Sequence, residues 1–235
     1  MIDKNELSIL LRKHQQDFAP VVPFNPQADK LLSLDFTVNN KKLTDEIVND
    51  TDLFSDYVSN KLKRAGCRYG IGGYAEHRTI YNRSKHFDSS TSEEPRRLHL
   101  GVDIWGQSNT PVVAPLSGIV HSFAFNNNFG DYGATIILTH NLEGFVFHTL
   151  YGHLSLNSLK NLQEGHLIKR GEVFAEFGMQ FENGQWPSHL HLQLIINMDG
   201  MQGDYPGVCK FSEREIYLGN CPDPALLLPS FQKLK

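Results

Sequence analysis

Apolar residues recur at helical spacing in the first part of the chain. Leucines three and four residues apart predict a helix over residues 6–16. Residues 45–64 show similar spacing, and Thr44 is placed to cap the start of that second helix. Glycine then follows, which is typical of a helix end. We therefore expect a helical N-terminal extension over residues 1–66 and a separate domain over residues 67–235.

From about residue 69 the pattern changes to short apolar or alternating runs separated by turns. The turns are rich in glycine, asparagine and proline, which favours short strands between them. The runs predicted as strands cover residues 112–114, 118–120, 134–139, 145–151, 173–177 and 189–196. Many short strands joined by turns predict a mainly β fold with a compact antiparallel β core.

Composition and charge exclude several classes of function. The chain has 235 residues, of which 40% are hydrophobic and 20% charged, so it is typical of a folded globular protein. The formal net charge is −4 and no stripe of lysine and arginine stands out, so we expect no nucleic-acid partner. No apolar run approaches the length of a membrane span, so we expect no membrane insertion.

The N-terminus and the cysteines bear on location. The first apolar run, residues 7–11, is interrupted by charged residues and is too short for a secretory signal. Three cysteines without a Cys-x-x-Cys pair indicate reduced thiols rather than a disulfide framework. We expect a cytoplasmic protein, or a secreted one if a signal peptide had been removed.

Two alternating stretches carry the chemistry. In an extended strand, side chains two residues apart share a face, so His99 and Asp103 lie on one face of the first stretch. In the second stretch His189, His191 and Gln193 share a face, opposite a row of leucines. If the two polar faces meet, two imidazoles and a carboxylate can bind a metal and leave a position for water, as in a catalytic zinc site. The spacing does not tell which histidine of the His-x-His pair is the ligand.

Hydrolysis at such a site also requires a group that takes the proton of the water and groups that stabilise the oxyanion. The histidine beside the ligand histidine is one candidate. His153 is another, since it ends a predicted strand directly after Gly152, a residue that permits an unusual backbone turn.

The three motifs occur in a fixed order: His-x-x-x-Asp at 99–103, Tyr-x-His-Leu-Ser at 151–155 and His-x-His at 189–191. Their order and spacing resemble the lysostaphin/LytM-type zinc metallopeptidases, which are glycyl-glycine endopeptidase-like. The resemblance covers roughly residues 74–228. It implies a lysostaphin-type peptidase fold and a peptide or peptidoglycan-like substrate.

The resemblance also implies a role for each motif residue. One Zn²⁺ would be bound by His99, Asp103 and His191. His153 and His189 would be the catalytic pair that activates water and stabilises the tetrahedral intermediate. The protein would then be a metalloendopeptidase acting on glycine-containing or other small-residue peptides.

The flanking segments narrow the resemblance further. Residues 72–78, 203–208 and 221–224 look more like the subgroup found joined to class-III aminotransferase and phosphotransferase-like domains. This subgroup implies a functional link to an aminotransferase-type partner. The loop at 182–188 also differs from the Gly/Ser/Thr-rich loop that cell-wall enzymes carry before His-x-His.

Other interpretations stay open at this point. The domain would be a catalytically silent binding or regulatory module if it used the fold without chemistry. It would be a non-haem iron oxygenase if the two histidines and the carboxylate held Fe(II). Trp186 is equally compatible with lining a substrate groove and with core packing. Tyr74, Glu76 and Arg78 form a polar cluster that would either rim the cleft or have no part in it. The extension over residues 1–66 would either shield the cleft or serve as a docking platform.

Overall fold

A mostly antiparallel sheet forms the centre of the computed structural model, which describes residues 4–88, 93–229 and 231. The strands are Leu31–Leu34 (β1), Tyr69–Gly72 (β2), Leu98–His99 (β3), Val102–Trp105 (β4), Pro111–Val113 (β5), Gly118–Asn126 (β6), Gly133–Leu142 (β7), Phe145–Leu154 (β8), Leu167–Ile168 (β9), Val173–Glu176 (β10), His189–Ile195 (β11) and Val208–Cys209 (β12). The α-helices are Lys4–Lys13 (α1), Asp45–Asn49 (α2), Thr51–Ala65 (α3) and Arg214–Asn220 (α4). Short 3₁₀ segments are Gln15–Asp17, Ile80–Arg83, Lys85–Phe87, Leu156–Leu159, Phe211–Glu213 and Pro224–Leu227.

The main sheet has the strand order β1-β2-β4-β11-β8-β7-β6-β9. Its described pairs are antiparallel except for β1 and β2, which run parallel. Two smaller pairs, β10 with β5 and β12 with β3, flank it. The predicted mainly β fold with an antiparallel core and a helical N-terminal region is therefore confirmed.

The alternation on β4 and β11 has the predicted consequence. Val102 and Ile104 on β4, and Leu190 and Leu192 on β11, belong to one buried apolar cluster. Side chains between them point to the opposite face, as the period of a strand requires. The polar face of this strand pair is thereby left for the histidines and the carboxylate.

The second predicted helix is two helices in the structure. Thr44 caps α2 as expected, accepting from Ile47 N, but Asp50 then adopts an extended conformation and caps α3 through its carboxylate. An aspartate that accepts from the first amides of a helix stabilises a new helix start, which explains the break. Gly66, at φ 60°, ends α3.

The N-terminal segment is joined to the rest by strand pairing and by packing. β1 lies beside β2, so residues 31–34 form an edge of the main sheet, a strand that the sequence pattern did not predict. Phe36 and Phe54 belong to the same buried cluster as Trp105 on β4. The boundary between residues 66 and 67 stays a prediction, and the ends of both predicted units at residues 1–3, 230 and 232–235 lie outside the described residues.

The stretch that contains His99 and Asp103 is not one continuous strand. β3 ends at His99 and pairs with β12, whereas β4 begins at Val102 and lies in the main sheet. Gly101, in the break, lies against the ring of His191, and a Cβ there would lie 2.5 Å from Cε1. The chain therefore bends at Gly101, where its backbone lies directly against the ring of His191.

Among the described residues, no helix is both long and apolar enough to cross a membrane.

Candidate metal centre

Strand register brings the two polar stretches together. In the antiparallel pair of β4 and β11, Asp103 lies opposite His191 and Trp105 lies opposite His189. On the other side of β11, Gly152 of β8 lies opposite His191. The polar face predicted from alternation therefore becomes a single surface across three neighbouring strands.

Three side-chain atoms converge on this surface. His99 Nε2 lies 3.0 Å from His191 Nδ1 and 3.2 Å from Asp103 Oδ1. His191 Nδ1 lies 3.1 Å from the same carboxylate oxygen. All three residues are buried. Among the described residues, these three form a cluster of metal-ligating side chains able to hold one metal ion.

The outer ring nitrogens of both histidines lie beside hydrogen-bond acceptors. His99 Nδ1 lies 2.9 Å from the carbonyl oxygen of Gly73, and His191 Nε2 lies 2.9 Å from Oε1 of Gln193. Because both oxygens accept hydrogen bonds, each contact favours an N–H on the outer nitrogen, which would leave the lone pairs of the inner nitrogens facing Asp103.

Three acceptors that face one another without a proton between them repel unless a cation lies among them. Ligand atoms held tetrahedrally at 2.0–2.1 Å from zinc would be about 3.3 Å apart, close to the three separations in this triangle. The residues present therefore fit a bound divalent metal.

The second oxygen of Asp103 is held by a buried arginine. Arg78 Nη1 donates to Asp103 Oδ2, and Arg78 Nε donates to Glu76 Oε2 over 2.6 Å. Burial alone raises the pKa of Asp103, but its interactions with His99 and Arg78 outweigh burial and hold that pKa well below its usual value. The carboxylate is thus ionised and oriented.

His153 and His189 lie side by side next to the triangle. Their ring centroids are 4.1 Å apart, and His189 is stacked on Trp105 with centroids 3.9 Å apart. His153 Nδ1 lies 2.8 Å from the carbonyl oxygen of Asn183, and His189 Nδ1 lies 2.8 Å from that of Pro187. Each N–H therefore donates to the backbone, which leaves both Nε2 atoms as proton acceptors.

Burial controls the charge of this pair. Desolvation lowers the pKa of His189 to about 4, and desolvation together with the neighbouring His189 lowers the pKa of His153 well below its ordinary value. Both imidazoles are therefore neutral near pH 7, the state in which a histidine takes up a proton.

The unusual backbone turn beside Gly152 belongs to His153 itself. His153 has φ 61°, in the left-handed region that non-glycine residues seldom occupy. Glycine is needed at position 152 for a steric reason, because a Cβ there would overlap the ring of Tyr132. The glycine makes room for a neighbour, and the histidine carries the strained conformation.

A cavity of about 110 Å³ opens onto these groups. It reaches Asp103, His153, His189 and His191, and its described lining begins at Arg78, so residues 4–66 do not contribute to it. Trp186 lines the cavity and is also part of a buried aromatic cluster, so core packing applies, and contact with a substrate stays a prediction.

The sequence pattern missed several residues that support this site. Arg78 was assigned only to a polar cluster that would either rim the cleft or have no part in it, whereas the structure buries it fully against Asp103. Asn183 holds its loop through bonds to Gly178 O, Trp186 O and Trp186 N. Only Gln193 gave a signal in advance, since it shares the face of His189 and His191.

Comparison with known proteins adds a family to this geometry. The sequence model of Peptidase family M23 matches residues 97–202, which contain all five predicted site residues. An uncharacterized metalloprotease of Haemophilus influenzae is 35% identical over 102 residues, which is 43% of this chain and 19% of the relative. The match therefore spans about a fifth of that curated relative.

Two solved structures are also similar. A zinc-containing peptidase from Vibrio cholerae is 27% identical, with 42% of this chain and 27% of that chain covered and a TM-score of 0.33. The catalytic domain of lysostaphin from Staphylococcus simulans is 26% identical, with 52% and 80% covered and a TM-score of 0.37.

Proposed function

Because the chain matches peptidase family M23, the lysostaphin/LytM type, over residues 97–202, we propose that the protein is a zinc-dependent metallopeptidase. The observation that supports this proposal most directly is that one cavity contains two groups of side chains with different chemistry. Three lone-pair donors of His99, Asp103 and His191 converge, and two neutral histidines lie beside them. One arrangement suits a metal, and the other suits proton transfer.

The donor set supports zinc. Two imidazole nitrogens and one carboxylate oxygen are typical of catalytic zinc sites with a position left for water or substrate. When bound, the metal polarises a carbonyl and lowers the pKa of water. His99, Asp103 and His191 are the residues that would hold it.

The chain's own histidines supply the proton transfers. In this proposal the Nε2 atom of His153 or His189 accepts a proton from the attacking water, because both are neutral and both point their lone pairs into the cavity. The imidazolium then donates a hydrogen bond to the oxyanion and passes its proton to the leaving amine. Since the two rings are adjacent, a charge on one disfavours a charge on the other, so one proton is carried at a time.

The walls of the cavity support a substrate with small side chains, because bulky rings line it beside the histidines. The rings of Tyr132 and Trp186 form part of its wall. Glycine-containing peptides are therefore the proposed substrates, and peptidoglycan-like polymers, an aminotransferase-type partner and a cytoplasmic location stay predictions.

Metal content and peptide hydrolysis test this proposal together. We expect about one zinc per chain, hydrolysis of an oligoglycine peptide, loss of hydrolysis on chelation and recovery on adding Zn²⁺. His191→Ala should abolish both metal binding and turnover, whereas His166→Ala, at an exposed position, should change neither.

Three results would contradict the proposal in different ways. Full hydrolysis by His191→Ala would remove the assigned ligand. Stoichiometric zinc with no hydrolysis of any peptide in a broad library would favour the binding module. Iron with oxygen-dependent turnover would favour the oxygenase.

A further inference from the structure

Gln193 lies two residues after His191 on the same face of β11, and its side chain is fully buried. Its Oε1 lies 2.9 Å from Nε2 of His191. An amide oxygen accepts hydrogen bonds and donates none, so this contact is favourable only when His191 carries its proton on Nε2.

The amide of Gln193 has one favourable orientation. Its Nε2 donates to the carbonyl oxygen of Pro206 over 3.1 Å and lies 3.3 Å from Sγ of Cys221. If the amide were flipped, Oε1 would face the Pro206 carbonyl, and two buried acceptors would lie against each other with no hydrogen between them. The backbone at Pro206 therefore fixes which end of Gln193 meets His191.

The opposite tautomer of His191 also has a partner. With the proton on Nδ1, the ring would donate to Asp103 Oδ1, which lies 3.1 Å away. Tyr132 Oη, which lies 3.4 Å from both Nε2 and Gln193 Oε1, would then donate to that nitrogen instead of to the amide oxygen. Asp103 and Tyr132 together thus favour a state in which Nδ1 has no lone pair for a metal.

We propose that Gln193 is a positioning residue that holds His191 in the Nε2–H tautomer and so keeps Nδ1 as a ligand atom. The hydrogen bond to Gln193 opposes the preference of Asp103 for an N–H on Nδ1. In that Nδ1–H tautomer, the lone pairs of His191 Nε2 and Gln193 Oε1 would face each other, with the two atoms 2.9 Å apart. The inference rests on the proposed metal site, but the tautomer exists in the metal-free protein and is measurable there.

Nitrogen NMR of metal-free protein with labelled histidine tests the tautomer at about pH 8, above the ordinary histidine pKa of about 6.5. The signals of His191 are assigned by their loss in His191→Asn. Gln193→Met keeps the volume and removes the acceptor, whereas Gln193→Glu keeps an acceptor. Gln180→Met is the matched control, since that amide is directed to Ser55 and Thr51.

The expected results separate Gln193 from its neighbours. The wild type, Gln193→Glu and Gln180→Met should show the Nε2–H form, and Gln193→Met should shift towards Nδ1–H. Tyr132→Phe should leave the wild-type tautomer in place, which provides a second variant if Gln193→Met does not fold. In a chelator competition with Zn²⁺ alone, Gln193→Met should bind about 10- to 100-fold more weakly, and Gln193→Glu should recover most of the loss.

Each contrary result is decisive. An unchanged tautomer in folded Gln193→Met, or a shifted one in Tyr132→Phe, would overturn the proposal. Zn²⁺ affinity within twofold of the wild type in Gln193→Met would remove the consequence for the metal. Failure of the wild type to bind Zn²⁺ would refute the proposed function instead, and the NMR comparison would still decide the role of Gln193.

Discussion

Arg78 Nη1 donates to Oδ2 of Asp103 over 2.5 Å, and both side chains are buried. The other donors of Arg78 are directed to Glu76 Oε2 and to the carbonyl oxygen of Gly73, which also accepts from His99. Residues 73–78 therefore orient two of the three proposed metal ligands. This segment lies before residues 97–202, so the site extends beyond the part of the chain that the family model matches.

Replacing Arg78 by methionine should destabilise the metal-free protein. It leaves the Asp103 carboxylate buried without its cation, and loss of one partner from a buried ion pair costs about 3–5 kcal/mol. Denaturant unfolding of the metal-free protein measures this loss. Arg68→Met removes an ion pair at the surface and should change the unfolding midpoint little. Equal midpoints for Arg78→Met and the wild type would contradict the role given to Arg78.

Replacing Gly101 by alanine should displace the ring of His191. The new Cβ would lie 2.5 Å from Cε1 of that ring and 2.7 Å from the carbonyl oxygen of Leu192, and the backbone cannot easily give way. Overpacking of this kind costs about 1–3 kcal/mol, and Zn²⁺ affinity should fall as well. Thermal unfolding and chelator competition measure the two effects.

Gly219 provides the control for this substitution. It lies in α4 with no atom within 4 Å of its ideal Cβ, so Gly219→Ala should leave Zn²⁺ binding unchanged and not lower stability. If Gly101→Ala bound Zn²⁺ as tightly as Gly219→Ala, the close approach of the chain to His191 would not matter for the site.

Alternation predicted much of this site. A period of two placed His189 and His191 on one face of β11, and the structure keeps that arrangement with leucines opposite. The predicted runs from 112 to 196 all correspond to strands. Such patterns are local, so strand periodicity alone is enough to predict them.

The remaining features depend on contacts between distant segments. No local pattern shows that Arg78 will be buried against Asp103, because the same charged residue at a surface would have the same neighbours in sequence. The break at Gly101 arises from the ring of His191, which is 90 positions away in the chain. Histidine adopts the left-handed conformation more often than most non-glycine residues, but no local pattern shows that His153 will adopt it. Tertiary packing overrides local propensity at these three positions.

Stability should fall as the pH drops below about 6.5, in part because of His140. Burial lowers the pKa of His140 to about 4, and its ring lies between Ser117 O and Thr149 Oγ1, away from the proposed metal ligands. The unfolded chain takes up a proton near pH 6.5 and the folded chain only near pH 4, so the unfolded state binds more protons between these values. The contribution is about 3 kcal/mol, lost progressively towards pH 4.

Denaturant unfolding at pH values from 7 to about 4 checks this prediction. His140→Gln should flatten the decline of the unfolding free energy by roughly that amount, whereas His166→Gln, at an exposed position, should follow the wild-type curve. Parallel curves for His140→Gln and the wild type would show that His140 does not contribute.

Metal binding and turnover should be separable within the histidine cluster. His153→Ala and His189→Ala remove proposed proton acceptors but leave the triangle of ligands intact, so Zn²⁺ should bind nearly as in the wild type. Turnover should fall by about 10²- to 10⁴-fold, the usual contribution of general acid–base catalysis. Loss of stoichiometric zinc in either variant would instead make that histidine a ligand.

The aromatic layer behind His189 connects the N-terminal segment to a proposed proton acceptor. His189 is stacked on Trp105, and Trp105 in turn contacts Phe36, with ring centroids 5.0 Å apart, and Phe54, at 6.1 Å. Residues of the extension thus support the ring on which a proposed proton acceptor rests. Removing one of these two phenylalanine side chains should alter catalysis although neither is proposed to contact the substrate.

Phe36→Ala and Phe147→Ala make a matched pair for this last prediction. Both side chains are fully buried, but Phe147 lies in a different apolar cluster, so each change should cost about 3–5 kcal/mol while only one affects the layer behind Trp105. At a temperature where both variants are folded, kcat should fall for Phe36→Ala and stay near the wild-type value for Phe147→Ala. Phe36 is connected to the proposed ligands through Arg78, whose guanidinium carbon lies 5.5 Å from its ring centroid, so Zn²⁺ affinity should differ much less between the two variants than kcat. An equal kcat in the two would mean that Trp105 holds His189 without help from the extension.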